Sequence, residues 1–144
     1  METAQQLANR LLDRETNAGN ADTTRASAAA RAGEKLYRAL SRWIGTDGCH
    51  ALFTRARAQQ LASHEPLDSL QLRPRHEPYI AGAEETIGEY GNDATANAIE
   101  AMIVAMIELL GRLIGVDMAS NLIEQSLSDF APDNSVPAKR RARA

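Results

Sequence analysis

Residues 38–56 read RALSRWIGTDGCHALFTRA, and residues 108–126 read ELLGRLIGVDMASNLIEQS. The two stretches align without gaps and share six residues, which in the first copy are Leu40, Arg42, Ile44, Gly45, Asp47 and Leu52. Each stretch predicts the end of an amphipathic helix, a turn with the pattern Ile-Gly-x-Asp, and the start of another helix. We expect Gly45 and Gly115 to end the first helix of each copy. Asp47 and Asp117 are expected to cap the second helix.

Helical periodicity continues on both sides of these turns, and no stretch predicts a substantial strand. We predict helices over residues 3–15, from Asp22 or Thr23 to 44, 47–63, 83–90, 94–114, and from 117 onward. The fold class is therefore all-α, a bundle of about five to six helices built around two helix–IGxD–helix hairpins with approximate two-fold pseudo-symmetry. The repeat has two open explanations, an internal duplication or the same capping chemistry used twice.

The chain divides by composition into three regions. We expect an N-terminal helix or arm over residues 1–20, a helical bundle domain over 21–130, and a disordered basic tail over 131–144. The last six residues, KRRARA, hold four of the 16 basic side chains, whereas the rest of the chain is acidic. An acidic body does not fit a nucleic-acid-binding domain, so we expect at most weak nucleic-acid contact through residues 139–144.

The composition also bounds the compartment. The sequence has one cysteine, no long apolar run, and no signal-peptide pattern at its start, so we expect a cytoplasmic protein without a membrane span. The segment 64–82 contains three prolines that break continuous helix, and its leucines Leu67, Leu70 and Leu72 are expected to pack. The sequence leaves three roles open for this segment: a lid, a binding loop or a passive crossover.

The standard catalytic and phosphate-binding motifs are absent from the sequence. Cys49 and His50 are adjacent near a predicted helix start, where a thiol can be activated. Neighbours on a helix point about 100° apart, however, so His50 is badly placed to serve Cys49, which we expect in the core. We therefore predict no catalytic residue, no cofactor and no metal site.

The helix over 94–114 is apolar nearly all round, which is typical of a core helix or an oligomer interface. Its apolar side chains, together with two aromatic residues from the first hairpin, form the predicted partner or ligand surface: Ile99, Met102, Ile103, Met106, Leu110, Trp43 and Phe53. We expect a non-enzymatic helical module that forms a homodimer and binds a protein partner in a regulatory or adaptor role. The alternative is a small-molecule sensor or carrier with an apolar pocket between the hairpins.

Overall fold

The computed structural model describes residues 3–18 and 24–129, and these fold into six α-helices with little strand. The helices are α1 (Ala4–Ala18), α2 (Arg25–Ile44), α3 (Thr46–Gln60), α4 (Ala83–Tyr90), α5 (Asn92–Ile114) and α6 (Val116–Asp129). The predicted all-α fold is confirmed. None of the described helices has the length and apolar character needed to cross a lipid bilayer.

The long helices α2 and α5 run parallel through the centre of the bundle. Near their starts, the backbone N–H of Ala26 donates to Oδ1 of Asn92 at 2.9 Å. About two turns further along α2 and three along α5, a Cβ built on Gly33 would lie 3.7 Å from Cδ1 of Ile103. Both helices therefore end at the same end of the bundle. We call this the turn end, since it carries Gly45 and Gly115.

A single glycine joins the helices at each of these turns. Gly45 has φ 87° and ψ 154°, and Gly115 has φ 93° and ψ 147°. The N–H of Gly45 donates to the carbonyl of Ser41 at 2.9 Å, and the Gly45 carbonyl accepts from the N–H of Cys49 at 3.0 Å. One residue therefore closes the last turn of α2 and opens the first turn of α3.

This geometry corrects the predicted role of the two aspartates. The helices begin at Thr46 and Val116, so Asp47 and Asp117 lie inside the first turn. The prediction that Asp47 is the N-cap is wrong, because Gly45 takes that position without a side-chain hydrogen bond. A carboxylate in the first turn still interacts favourably with the helix dipole. At the start of α2 the side chain of Thr24 accepts from the N–H of Ser27, whereas Asp22 and Thr23 lie outside the described residues.

The core lies between α2 and α5 and is closed by the other helices. α3 packs against α5, α6 packs against α2, and α1 lies across both long helices. α1 contributes Leu7 and Leu11, which are buried among the residues of the other helices. The first helix of the chain thus shares the core of the segment that follows. The predicted tail over 131–144 lies outside the described residues.

The proline-containing segment between α3 and α4 is compact. It forms a 3₁₀ turn at Glu65–Ser69 and two paired two-residue strands, β1 (Gln71–Leu72) and β2 (Ile80–Ala81). Leu67 and Leu70 are fully buried and Leu72 is partly buried, so the prediction that the leucines pack is confirmed.

Candidate functional site

Six of the seven side chains predicted to form a partner or ligand surface are buried inside the chain's own core. They are Phe53, Ile99, Met102, Ile103, Met106 and Leu110. The helix over 94–114 therefore serves as the core helix, one of its two predicted alternatives. A partner could reach these six side chains only if the helices separated. The seventh residue, Trp43, lies at the surface with 54% of its area exposed.

Trp43 belongs to a group of large apolar side chains that are exposed at the turn end. We call this group the apolar end face, and its members are Trp43, Leu113, Ile114, Val116 and Met118. Trp43 follows the buried Leu40 by three positions, and Leu113 follows the buried Leu110 in the same way. Residues three apart share a helix face. The apolar, inward-facing stripes of α2 and α5 therefore each continue one turn beyond the last side chains that other helices cover.

Cys49 and His50 do not form a reactive pair. The Cys49 thiol is fully buried and lies 3.6 Å from the backbone carbonyl of Tyr37. Burial raises the pKa of this thiol to about 11, outweighing a lowering by the hydroxyl of Ser41. His50 instead places Nδ1 2.8 Å from the hydroxyl of Tyr79. The predicted position of Cys49 in the core is confirmed, and its thiol is held in the unreactive protonated form.

Tyr79 is the centre of an aromatic cluster that periodicity did not reveal. Its ring stacks on Tyr37 with centroids 3.6 Å apart, and it meets the edge of Phe53 at 5.5 Å. Burial raises the pKa of the Tyr79 hydroxyl, and the neighbouring Cys49 adds to the shift. The cluster ties the segment after α3 to the two helices of the first hairpin.

Two carboxylates act as anchors within the bundle. Glu34 on α2 accepts two backbone hydrogen bonds, from the N–H of Tyr79 at 2.7 Å and from the N–H of Ile80 at 3.2 Å. Glu15 on α1 is buried and lies 2.7 Å from Nζ of Lys35. Both acids therefore join distant segments of the chain, which is a structural role.

Several cavities of the described surface are large enough for a small molecule, and two of them lie near the turn end. The first, of about 470 Å³, lies between α1, α5 and α6. Its floor is apolar and includes Leu7, Ile107 and Val116, while Glu108 and Arg112 lie at its edge. The second, of about 440 Å³, lies between α2, the start of α3 and residues 75–77. Neither cavity is lined by any of the seven side chains that were predicted to form the partner or ligand surface.

Within residues 3–18 and 24–129, no three His, Cys, Asp or Glu side chains come close enough together to hold a metal ion. His76 lies at the surface and its Nδ1 is 3.1 Å from the carbonyl of Pro74. Comparisons with protein-family models, with curated proteins and with solved structures found no match for this chain.

Proposed function

We propose that this protein is a non-enzymatic helical module that self-associates through its apolar end face and, as a homodimer, binds a protein partner in a regulatory or adaptor role. The observation that carries the proposal is the exposure of Trp43 and Leu113, at 54% and 69%, on faces that are buried one turn earlier. Monomeric proteins rarely leave large contiguous apolar patches in water. A second copy of the chain is the occupant we propose.

The area of the apolar end face is consistent with a dimer contact. With side-chain areas of roughly 150–250 Å² each, the exposed fractions amount to about 500 Å² per chain. Two apposed copies would then bury about 1,000 Å², the lower bound for a specific interface.

The charges around the apolar end face also suit a second copy. One exposed arginine, Arg112, and one exposed aspartate, Asp117, are sequence neighbours of its members. A two-fold interface brings the same patch of each copy together. The arginine of one copy can then approach the aspartate of the other without net repulsion.

We also propose that the two hairpins are related by approximate two-fold pseudo-symmetry. The parallel course of α2 and α5 supports this, since Gly33 lies level with Ile103, 70 positions later. Such an arrangement would explain why both inward-facing stripes become exposed at one end.

Sedimentation velocity over a range of concentrations tests the self-association. We expect the wild-type chain to sediment as a dimer at high concentration, and the Leu113→Arg variant as a monomer. The matched control is Ala94→Arg, which places the same charge at an exposed position near the other end of α5. The control should dimerise like the wild type. A wild-type chain that stays monomeric at every concentration would refute the proposed self-association.

The single tryptophan supplies an independent readout. If Trp43 enters the interface, its fluorescence emission should shift to shorter wavelength as the wild-type chain is concentrated. The Leu113→Arg variant should keep the emission of an exposed indole at every concentration. An emission that does not change while the chain dimerises would place the interface elsewhere.

A small-molecule carrier is the second candidate function, and the cavity between α1, α5 and α6 favours it. Its volume of about 470 Å³ and its apolar floor suit an apolar ligand. Native mass spectrometry of freshly purified protein distinguishes the two functions. A retained ligand mass that is lost in Gly111→Leu, which fills the floor, would support a carrier. Ligand-free dimers would support self-association alone.

A further inference from the structure

A third cavity, of about 470 Å³, lies between α3 and β1 and has a cationic lining. Arg57 lines it from α3, and Arg73 lines it from the position that follows β1. No aspartate or glutamate of the described residues belongs to this lining. We propose that the cavity binds the phosphate group of a small phosphate monoester, a ligand class beyond the function proposed above.

Both arginines are held in place by uncharged acceptors. Nε of Arg57 donates to the backbone carbonyl of Leu67 at 2.9 Å, and Nη2 of Arg73 donates to that of Pro78 at 3.1 Å. Neither guanidinium group forms an ion pair with a carboxylate of the described residues. A carbonyl oxygen fixes a guanidinium group without cancelling its charge, so both positive charges remain available to an anion.

The contacts that hold the arginines also leave donors for a ligand. Because Arg57 uses only Nε within the described residues, its two Nη groups keep the fork that binds an oxyanion through two hydrogen bonds. Arg73 is partly buried, and its backbone N–H donates to the carbonyl of Tyr79 at 2.8 Å. The segment that carries Arg73 is therefore fixed as well. A site whose groups are already positioned loses less entropy when a ligand binds.

Uncharged donors complete the lining, namely His50 and Thr54 on α3 and Gln71 on β1. Nδ1 of His50 lies 2.8 Å from the hydroxyl of Tyr79, and burial raises the pKa of that hydroxyl and keeps it protonated. A hydroxyl that donates to Nδ1 leaves the ring proton on Nε2, which lies 3.5 Å from Oγ1 of Thr54. The imidazole N–H, the threonine hydroxyl and the glutamine amide can then all donate to phosphate oxygens.

The charge of the lining favours a phosphate monoester. Such a group carries a charge of about −1.5 to −2 at pH 7, which matches two guanidinium groups, whereas one carboxylate matches only one of them. Its three terminal oxygens can accept from several directions, and the donors lie on α3 on one side and on and after β1 on the other. The chain before its last six residues is acidic. An extended polyanion would therefore be repelled outside the cavity, whereas a small ester would not.

Titration of ¹⁵N-labelled protein, followed by NMR, tests the site with glycerol 3-phosphate, inorganic phosphate and succinate as probes. We expect glycerol 3-phosphate to shift the Nε–H signals of Arg57 and Arg73 and the amides of 50–57 and 71–73. Inorganic phosphate should move the same signals. Succinate, whose two charges lie on separate carboxylates, should need a concentration about tenfold higher. The absence of shifts with both phosphates, shifts spread evenly over exposed arginines, or succinate binding as tight as that of phosphate would each overturn the proposal.

Two pairs of variants separate binding in the cavity from general charge effects. Gln71→Glu places a carboxylate in the lining at an exposed position and should weaken glycerol 3-phosphate binding about tenfold or more. Gln59→Glu makes the same change in charge at an exposed position of α3 outside the lining, and it should leave binding unchanged. Arg57→Gln should weaken binding as Gln71→Glu does, whereas the exposed Arg55→Gln should not. Equal responses within either pair would contradict the assignment.

The result can be read independently of folding and of dimerisation. Arg57→Gln removes a contact to the carbonyl of Leu67 and so can affect stability, but Gln71→Glu leaves the contacts that hold both arginines in place. Circular dichroism at 222 nm should show the helix content of the wild type for Gln71→Glu. No member of the apolar end face lines this cavity. The Leu113→Arg variant should therefore bind glycerol 3-phosphate like the wild type, whether or not the wild-type chain dimerises.

Discussion

Replacing Gly45 with alanine isolates the backbone requirement of the turn between α2 and α3. A Cβ at this position would meet no atom within 4 Å, so crowding contributes nothing. The backbone angles, φ 87° and ψ 154°, lie in a region that is essentially restricted to glycine. We therefore expect Gly45→Ala to lower the free energy of unfolding by about 1–3 kcal/mol. For a chain of this length that corresponds to a fall in Tm of roughly 3–10 °C.

Gly48 provides the matched control three residues away. It lies in the first turn of α3 with ordinary helical geometry, and a Cβ there also meets nothing within 4 Å. Gly48→Ala should therefore stabilise the protein by up to about 1 kcal/mol. Thermal and urea unfolding followed by circular dichroism at 222 nm measure both variants. A Gly45→Ala protein as stable as Gly48→Ala would refute the conclusion that this turn depends on a glycine backbone. Gly115→Ala should behave like Gly45→Ala.

Two further predictions concern buried ionisable groups. Glu15→Ala should lower the free energy of unfolding by about 1–2 kcal/mol, because Arg31 and Lys35 lose a carboxylate that is only 6% exposed. Urea unfolding should therefore give a lower midpoint for this variant. An unchanged midpoint would contradict the prediction. The second prediction is a loss of stability between pH 9 and pH 11. An unfolded thiol loses its proton near pH 9.0, while Cys49 in the fold keeps its proton up to about pH 11. The unfolded state therefore binds fewer protons in this interval, and stability falls as pH rises. Cys49→Ala should flatten that slope, although Tyr79 maintains part of it above pH 10 because its pKa is also raised.

The helix boundaries were largely predictable because their signals are local. The stops at Gly45 and Gly115 were correct, as was the short helix over 83–90. The cap residues were predicted less accurately, because an aspartate that closely follows a glycine resembles an N-cap in the sequence. Only the backbone angles reveal that one glycine closes one helix and opens the next.

The packing partner of each apolar helix face was harder to predict, because periodicity identifies a buried face without identifying what covers it. Ile103 and Met106 could have faced a second copy, and the structure instead covers them with helices of the same chain. Tyr79 follows a proline in a segment without periodicity, so no local pattern marked it as a core residue. Its backbone N–H donates to the carboxylate of Glu34, 45 positions earlier, and such a contact has no signature in a single sequence.

The exposed apolar end face follows directly from the two single-glycine turns. Because α2 and α5 are parallel, their inward-facing stripes reach the same end of the bundle. A one-residue connection then sends α3 and α6 back along the bundle at once, so neither turn has a loop that could fold over that end. Trp43 and Leu113 therefore remain in water as a consequence of the topology. A longer turn could bury them within one chain. The short turns instead leave an exposed apolar surface, and this is the surface that we propose a second copy of the chain covers.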